Sequence, residues 1–163
     1  MNRVSSLWPR LTSFENLLEA ARRASAGKRT RPDVALFNLN LEWEVLRLQR
    51  ELRDGAYRTG GYRSFLVREP KPRFISAAPF RDRVVHHALT QVMEPVFEPR
   101  FSKDSFACRT GFGAHKALTQ ARNGIRDCPL VLKCDIRKYF PAIDHEILKT
   151  MLARAVKCRP TLA

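Results

Sequence analysis

Six apolar residues, Val34, Phe37, Leu41, Val45, Leu48 and Leu52, recur at steps of three and four. That spacing predicts one apolar stripe on a helix of about five turns, with Asp33 as its N-cap and Gly55 as its stop. A stripe this regular must be buried against other elements. Thr12 followed by Glu15 has capping-box spacing, and Phe14, Leu17, Leu18 and Ala21 continue at helical intervals until Gly27. After Pro79, Asp82 caps a helix bearing Val84, Val85, Ala88, Leu89, Val92 and Met93, which Pro95 ends. Ala114, Ala117, Leu118, Ala121 and Ile125 define another helix, and a last one runs from about Asp144 to Val156.

Between these helices the pattern changes. From Tyr57 to Glu69, aromatic and branched residues alternate with arginines, and Gly60-Gly61 marks a bend, which predicts a twisted basic hairpin or strand pair. Pro70 and Pro72 hold the chain extended around Lys71, and Phe74-Ile75-Ser76-Ala77 reads as a short strand. Leu130 to Cys134 reads as a further strand, ending at Asp135. The expected fold class is therefore α+β, with helices packed on short antiparallel strands.

Thirty Lys and Arg against sixteen Asp and Glu leave a formal charge of +14 on 163 residues. Such an excess favours a polyanionic partner, nucleic acid first. No run of about 18 apolar residues exists, which excludes a transmembrane helix and leaves no membrane partner in view. The segment from Met1 to Pro9 lacks the apolar stretch of a secretory signal, so cytoplasmic residence is expected. Cys108, Cys128, Cys134 and Cys158 lie 20, 6 and 24 positions apart, too far for a zinc knuckle, and are read as reduced, mostly buried thiols.

Three groups of residues have the chemistry for a site. Arg58, Arg63, Arg68, Lys71, Arg73, Arg81 and Arg83 are seven bases set against only Glu69 and Asp82. A guanidinium donates in a planar fork suited to phosphate, and Arg63 and Arg68 are the strand positions expected to use it; a solvated basic surface is the competing reading. Arg81-Asp82-Arg83 reads as ion pairs and a cap at a helix start. His86 and His87, about 100° apart on a helix, cannot ligate together and read as packing residues. In Arg109-Thr110-Gly111-Phe112-Gly113-Ala114-His115, glycines at a loop-to-helix junction let backbone amides approach an anion, with Arg109 beside them, although a tight turn explains the same pattern. Asp135 ends an apolar strand, where a carboxylate can project from a rigid frame toward a divalent cation; a turn or cap role is the alternative.

Three blocks taken in order are similar to consecutive conserved blocks of bacterial reverse transcriptases, in the lineage of group II introns and diversity-generating retroelements. They are Lys71-Pro72-Arg73 with Ile75 to Leu89, Asp104 to Gly113, and Lys133 to His145. The resemblance covers about residues 12 to 155. It implies a right-hand polymerase, with fingers and the start of the palm over 1–130 and a partial palm over 131–163. It implies that Asp135 is the first catalytic metal ligand and that Ile136 lends its backbone carbonyl to one of two Mg²⁺ ions in the complete enzyme. Phe140 falls at the family's steric gate beneath the incoming sugar, Lys71 and Arg73 at its triphosphate or template contacts, and Gly111 and Gly113 along the template track. The implied partners are an RNA template, a DNA or RNA primer and deoxynucleoside triphosphates.

The family's Tyr-x-Asp-Asp turn is not found in these residues, which leads to the expectation of a palm truncated before that turn and inactive alone. Two readings stand beside an RNA-directed DNA polymerase fragment. One is a non-catalytic RNA-binding module that keeps the basic surface. The other is a truncated pseudogene product with Ile147, Leu148 and Met151 exposed, unless a complementary palm and thumb fragment covers them.

Overall fold

The computed structural model describes residues 3–128 and 130–162; Met1 and Asn2 of the signal reading lie outside them. Nine α-helices and one antiparallel strand pair form among these residues. The helices are α1 (Leu7–Leu11), α2 (Phe14–Ser25), α3 (Pro32–Leu39), α4 (Leu41–Arg53), α5 (Phe80–Phe97), α6 (Ala114–Asp127), α7 (Tyr139–Ala142), α8 (His145–Ala153) and α9 (Arg159–Leu162). The strands are β1 (Arg63–Val67) and β2 (Arg73–Ala77), inserted between α4 and α5.

The core is helical. Along α5, Val84, Ala88, Val92 and Val96 recur every fourth residue and are all buried. They face Leu17, Ala20, Ala21 and Ala24 of α2, where three alanines let the two backbones come close. Val45, Leu48 and Leu52 of α4 close the other side of α2, and Phe37 of α3 meets Phe80 of α5 edge-to-face at 5.0 Å between ring centres. Side-chain amides pin these helices where backbone groups would otherwise go unpaired. Asn16 donates to the carbonyls of Leu11 (3.0 Å) and Ala88 (3.2 Å), Gln91 donates to the Asn16 carbonyl (3.0 Å), and Gln49 donates to the Thr12 carbonyl (2.7 Å).

The α+β composition matches the expectation, but the packing does not. The helices pack on one another, and every strand residue but Ala77 is exposed, so the strand pair stands out from the helical body. The pair also forms between the two segments flanking Pro70 and Pro72, not within 57–69. The single helix expected over 33–54 is two, because Asn40 leaves the helical region (φ −119°, ψ 39°); the apolar stripe runs across the break, since α3 and α4 both turn it inward. Pro32 at the first turn of α3 makes Arg31, not Asp33, the N-cap residue. Ser13, not Thr12, caps α2, with its hydroxyl accepting from the Asn16 amide at 3.2 Å, while Thr12 closes the preceding α1. Pro95 lies inside α5 and does not end it.

Two further expectations fail. Leu130 to Cys134 forms no strand, because a strand needs a partner edge and the described residues offer none there; Leu132 is 88% exposed. The thiols of Cys108, Cys128 and Cys134 are exposed, since they fall in loops outside the core, and Cys158 is half-buried. The chain returns to the helical body only at Ala155 and Val156, both buried. There Val4 donates to the Ala155 carbonyl (2.9 Å) and Lys157 to the Val4 carbonyl (2.8 Å), a parallel bridge.

Two measurements check this core. Leu48→Ala, at a fully buried position, is expected to cost about 2–5 kcal/mol in denaturant unfolding, whereas Leu46→Ala, on the exposed side of the same helix, should cost under about 0.5 kcal/mol. His87 is half-buried on α5, and burial, then the charges of Lys28, Arg23, His86 and Arg83, hold its pKa below the ordinary 6.5. The unfolded chain thus takes up this proton at a higher pH than the folded one. The melting temperature should fall as pH drops through 6.5 and level off beneath the folded pKa, and His87→Gln should flatten that fall.

Candidate nucleic-acid interface

The strand pair has one basic face. In antiparallel pairing, residues directly opposite share a face, and the register sets Arg63 against Ala77, Phe65 against Ile75 and Val67 against Arg73. One face therefore carries Arg63, Phe65, Val67, Arg73, Ile75 and Ala77. Ser64 and Ser76, with hydroxyls 3.2 Å apart, belong to the other. Arg63 stands at the base of this face and Arg73 near its tip, about 13 Å apart at a strand rise of roughly 3.3 Å per residue. Phe65 lies between them, with the Arg63 guanidinium 5.9 Å from its ring centre. Arg68 and Lys71 occupy the exposed connection between the strands.

What aims this face is the start of α5. The Asp82 carboxylate, 3% exposed, accepts hydrogen bonds from the Tyr57 hydroxyl at 2.6 Å and from the Gly60 amide at 2.8 Å. Burial, and then the Asp82 carboxylate, push the Tyr57 phenol well above its usual range, so it stays a donor. A Cβ on Gly60 would stand 2.8 Å from Pro79 Cγ, so only glycine lets the chain pass this close to the helix start. On either side, Arg81 pairs with Glu51 of α4 and Arg83 with Asp33 of α3 at 3.3 Å. The Arg81 hydrogen bond holds the Glu51 carboxyl below the usual carboxylate range. Arg81-Asp82-Arg83 is thus a three-way tie among α3, α4 and the segment leading into β1. Tyr57 and Glu51 were not legible as its partners in the sequence; the one available signal was a lone Tyr just before Gly60-Gly61.

The glycine loop is built differently. Gly111 (φ 77°) and Gly113 (φ 102°) both take conformations that favour glycine, and Gly113 leads directly into α6. Arg109 is turned into this loop: it pairs with Glu98 at 2.8 Å, donates to the carbonyls of Ser102 (2.7 Å) and Ser105 (2.8 Å), and lies 3.9 Å from the Phe112 ring centre. Its side chain is 9% exposed, so it shapes the loop from within.

Asp135 and Ile136 lie on the exposed segment that forms no strand, and Lys138 takes a left-handed conformation (φ 52°) before α7. Phe140 is 83% exposed, and its ring centre is 5.5 Å from that of Tyr139. Among the described residues no cluster of three or more His, Cys, Asp or Glu side chains could hold a metal ion. One carboxylate and one carbonyl supply the hard oxygens Mg²⁺ prefers, but in too small a number for two ions, so these residues do not fit a two-ion centre. Ile147, Leu148 and Met151 of α8 are exposed.

No family model matches the chain. Nuclear intron maturase 1, mitochondrial, of Arabidopsis thaliana is 32% identical over 51% of the chain, and nuclear intron maturase 2, mitochondrial, of the same plant is 30% identical over 69%. The chain is similar to intron maturases. It also aligns over 94% of its length with protein YkfC of Escherichia coli, at 28% identity. It spans only 12%, 18% and 44% of those three proteins respectively. No described helix is long and apolar enough to cross a membrane.

Tyr57→Phe removes one donor from a buried carboxylate and is expected to lower the unfolding free energy by about 1–3 kcal/mol. Gly60→Ala should destabilise in the same direction through its clash with Pro79. Unchanged denaturation midpoints for both would remove Asp82 as the anchor of the strand pair.

Proposed function

We propose that this chain is the fingers and first palm motif of a reverse-transcriptase-like protein, and that its own task is to bind RNA along the basic face of the strand pair. The observation that carries this reading is the placement of Arg63 and Arg73 on one face of a solvent-exposed hairpin whose leading segment is tied to the start of α5, with Phe65 between them. Charge that tracks a backbone, interleaved with a ring on which a base can stack, is the recurring chemistry of single-strand binding. The similarity to proteins named as intron maturases supports RNA as the partner. In this reading 1–130 forms the fingers and the start of the palm, and 131–163 contributes the beginning of the palm that bears Asp135.

Deoxynucleotidyl transfer is the finer reading. It assigns Lys71 and Arg73 to the triphosphate, Phe140 to the sugar gate, and Asp135 with the Ile136 carbonyl to Mg²⁺, on the strength of the three motif blocks. The described residues do not complete a metal centre, so catalysis is proposed only for a protein that adds the missing acids. The 163 residues by themselves are expected to bind without polymerising.

Two measurements test this. Anisotropy of a labelled single-stranded RNA should show binding that weakens steeply with salt, and Arg73→Ala should weaken it and lower the salt slope by about one. Binding indifferent to salt would refute the basic-face reading. Primer extension with Mg²⁺ should give no product above that of Asp135→Ala; synthesis above that background would refute the assignment of a binding role alone.

A further inference from the structure

A cleft of about 720 Å³ opens at the base of the basic face, between the first turn of α3 and the start of β1. Its walls carry Arg31, Asp33, Arg63, Phe65 and Arg83. Three arginines therefore converge on one cavity, and its volume falls within the range of about 300–1,000 Å³ usual for ligand sites. Only one carboxylate faces them. Asp33 meets Arg83 through a single contact at 3.3 Å, while the Nε of Arg83 is buried and has no partner. A guanidinium able to hold two oxygens side by side thus meets one, through one nitrogen. Asp33 itself belongs to the first turn of α3, where the helix dipole favours a negative charge, and a phosphate at the same place would be favoured equally. Arg31 is exposed, and among the described residues no carboxylate pairs with its side chain.

The cleft is continuous with the face that bears Arg73, because Arg63 and Phe65 belong to both. We propose that this cleft is a phosphate seat for single-stranded RNA: Arg31 and Arg83 grip one backbone phosphate, the adjoining base lies on Phe65, and the Asp33 carboxylate occupies the seat until RNA displaces it. The inference rests on the RNA-binding reading above but places part of the binding on residues that the motif blocks do not assign to a ligand. It makes an unusual demand, that removal of an acid from the wall of the cleft should strengthen binding.

The test is anisotropy of a labelled oligouridylate without terminal phosphates, titrated at several salt concentrations with the full chain. Asp33→Asn should tighten binding several-fold. Arg31→Gln and Arg83→Gln should each weaken it about 5- to 10-fold and lower the salt slope by about one. Because Arg83 also ties α3 to α5, Arg31→Gln, whose side chain is exposed, keeps the test open if Arg83→Gln fails to fold. Unchanged affinity in Asp33→Asn and Arg31→Gln, with Arg73→Ala still weakened, would overturn the seat and leave the basic-face reading standing. Loss of all salt-dependent binding in the unmodified chain would overturn that reading instead. Uridine monophosphate is the remaining arm: micromolar binding of it that Arg31→Gln abolishes, with the oligonucleotide unaffected, would overturn RNA as the occupant in favour of a free nucleotide.

Discussion

The buried Asp82 carboxylate is the contact on which the arrangement of the strand pair depends. A charged group at 3% exposure is tolerable only if its oxygens are satisfied, and here a phenol and a backbone amide satisfy them from the segment that leads into β1. Because strands exposed on both faces bury little of their own surface, a two-stranded hairpin has small stability in water by itself. Its direction is therefore inherited from the helix start that holds its base. Arg81 and Arg83 extend the same tie to α4 and α3, so three consecutive residues orient a basic surface against the core.

How far the sequence could be read depends on whether a local pattern had a local cause. The helices α2, α4, α5, α6 and α8 were legible because apolar residues at steps of three and four leave a periodic trace, whether that stripe is buried, as on α2, α4 and α5, or exposed, as on α6 and α8. The strands at 63–67 and 73–77 were legible as extended and basic, but which segment pairs with which is a tertiary choice. The break at Asn40 was hidden because the apolar stripe crosses it undisturbed. Leu130 to Cys134 shows the converse: its branched residues carry strand propensity, yet propensity creates no partner edge. Within the site, the basic residues could be identified as a group, whereas the roles of Asp82, Tyr57 and Glu51 arise from contacts between distant segments. Arg109 illustrates the limit well, since an arginine beside two glycines reads as a ligand group and is instead folded into its own loop.

The molecule thus divides by chemistry. The helical core around α2 and α5 is closed by apolar side chains and a few amides, and the basic hairpin is set upon it. From Leu130 to Met151 large apolar side chains stand in solvent among charged ones, with Leu130, Leu132, Phe140 and Ile147 all widely exposed.

The bridge between Val4 and Val156 has a consequence for everything between the end of α5 and Ala155. That span leaves the core at Val96 and rejoins it at Ala155, so it is a closed loop with both ends fixed and none of α6, α7 or α8 in the core between them. Closing such a loop costs an entropy that grows only with the logarithm of its length, about 0.6 kcal/mol for each doubling. Insertions, deletions or wholesale refolding within it would therefore perturb the helical body very little. A change in the length of the part of the chain that bears Asp135 thus reaches the core only through this closing entropy.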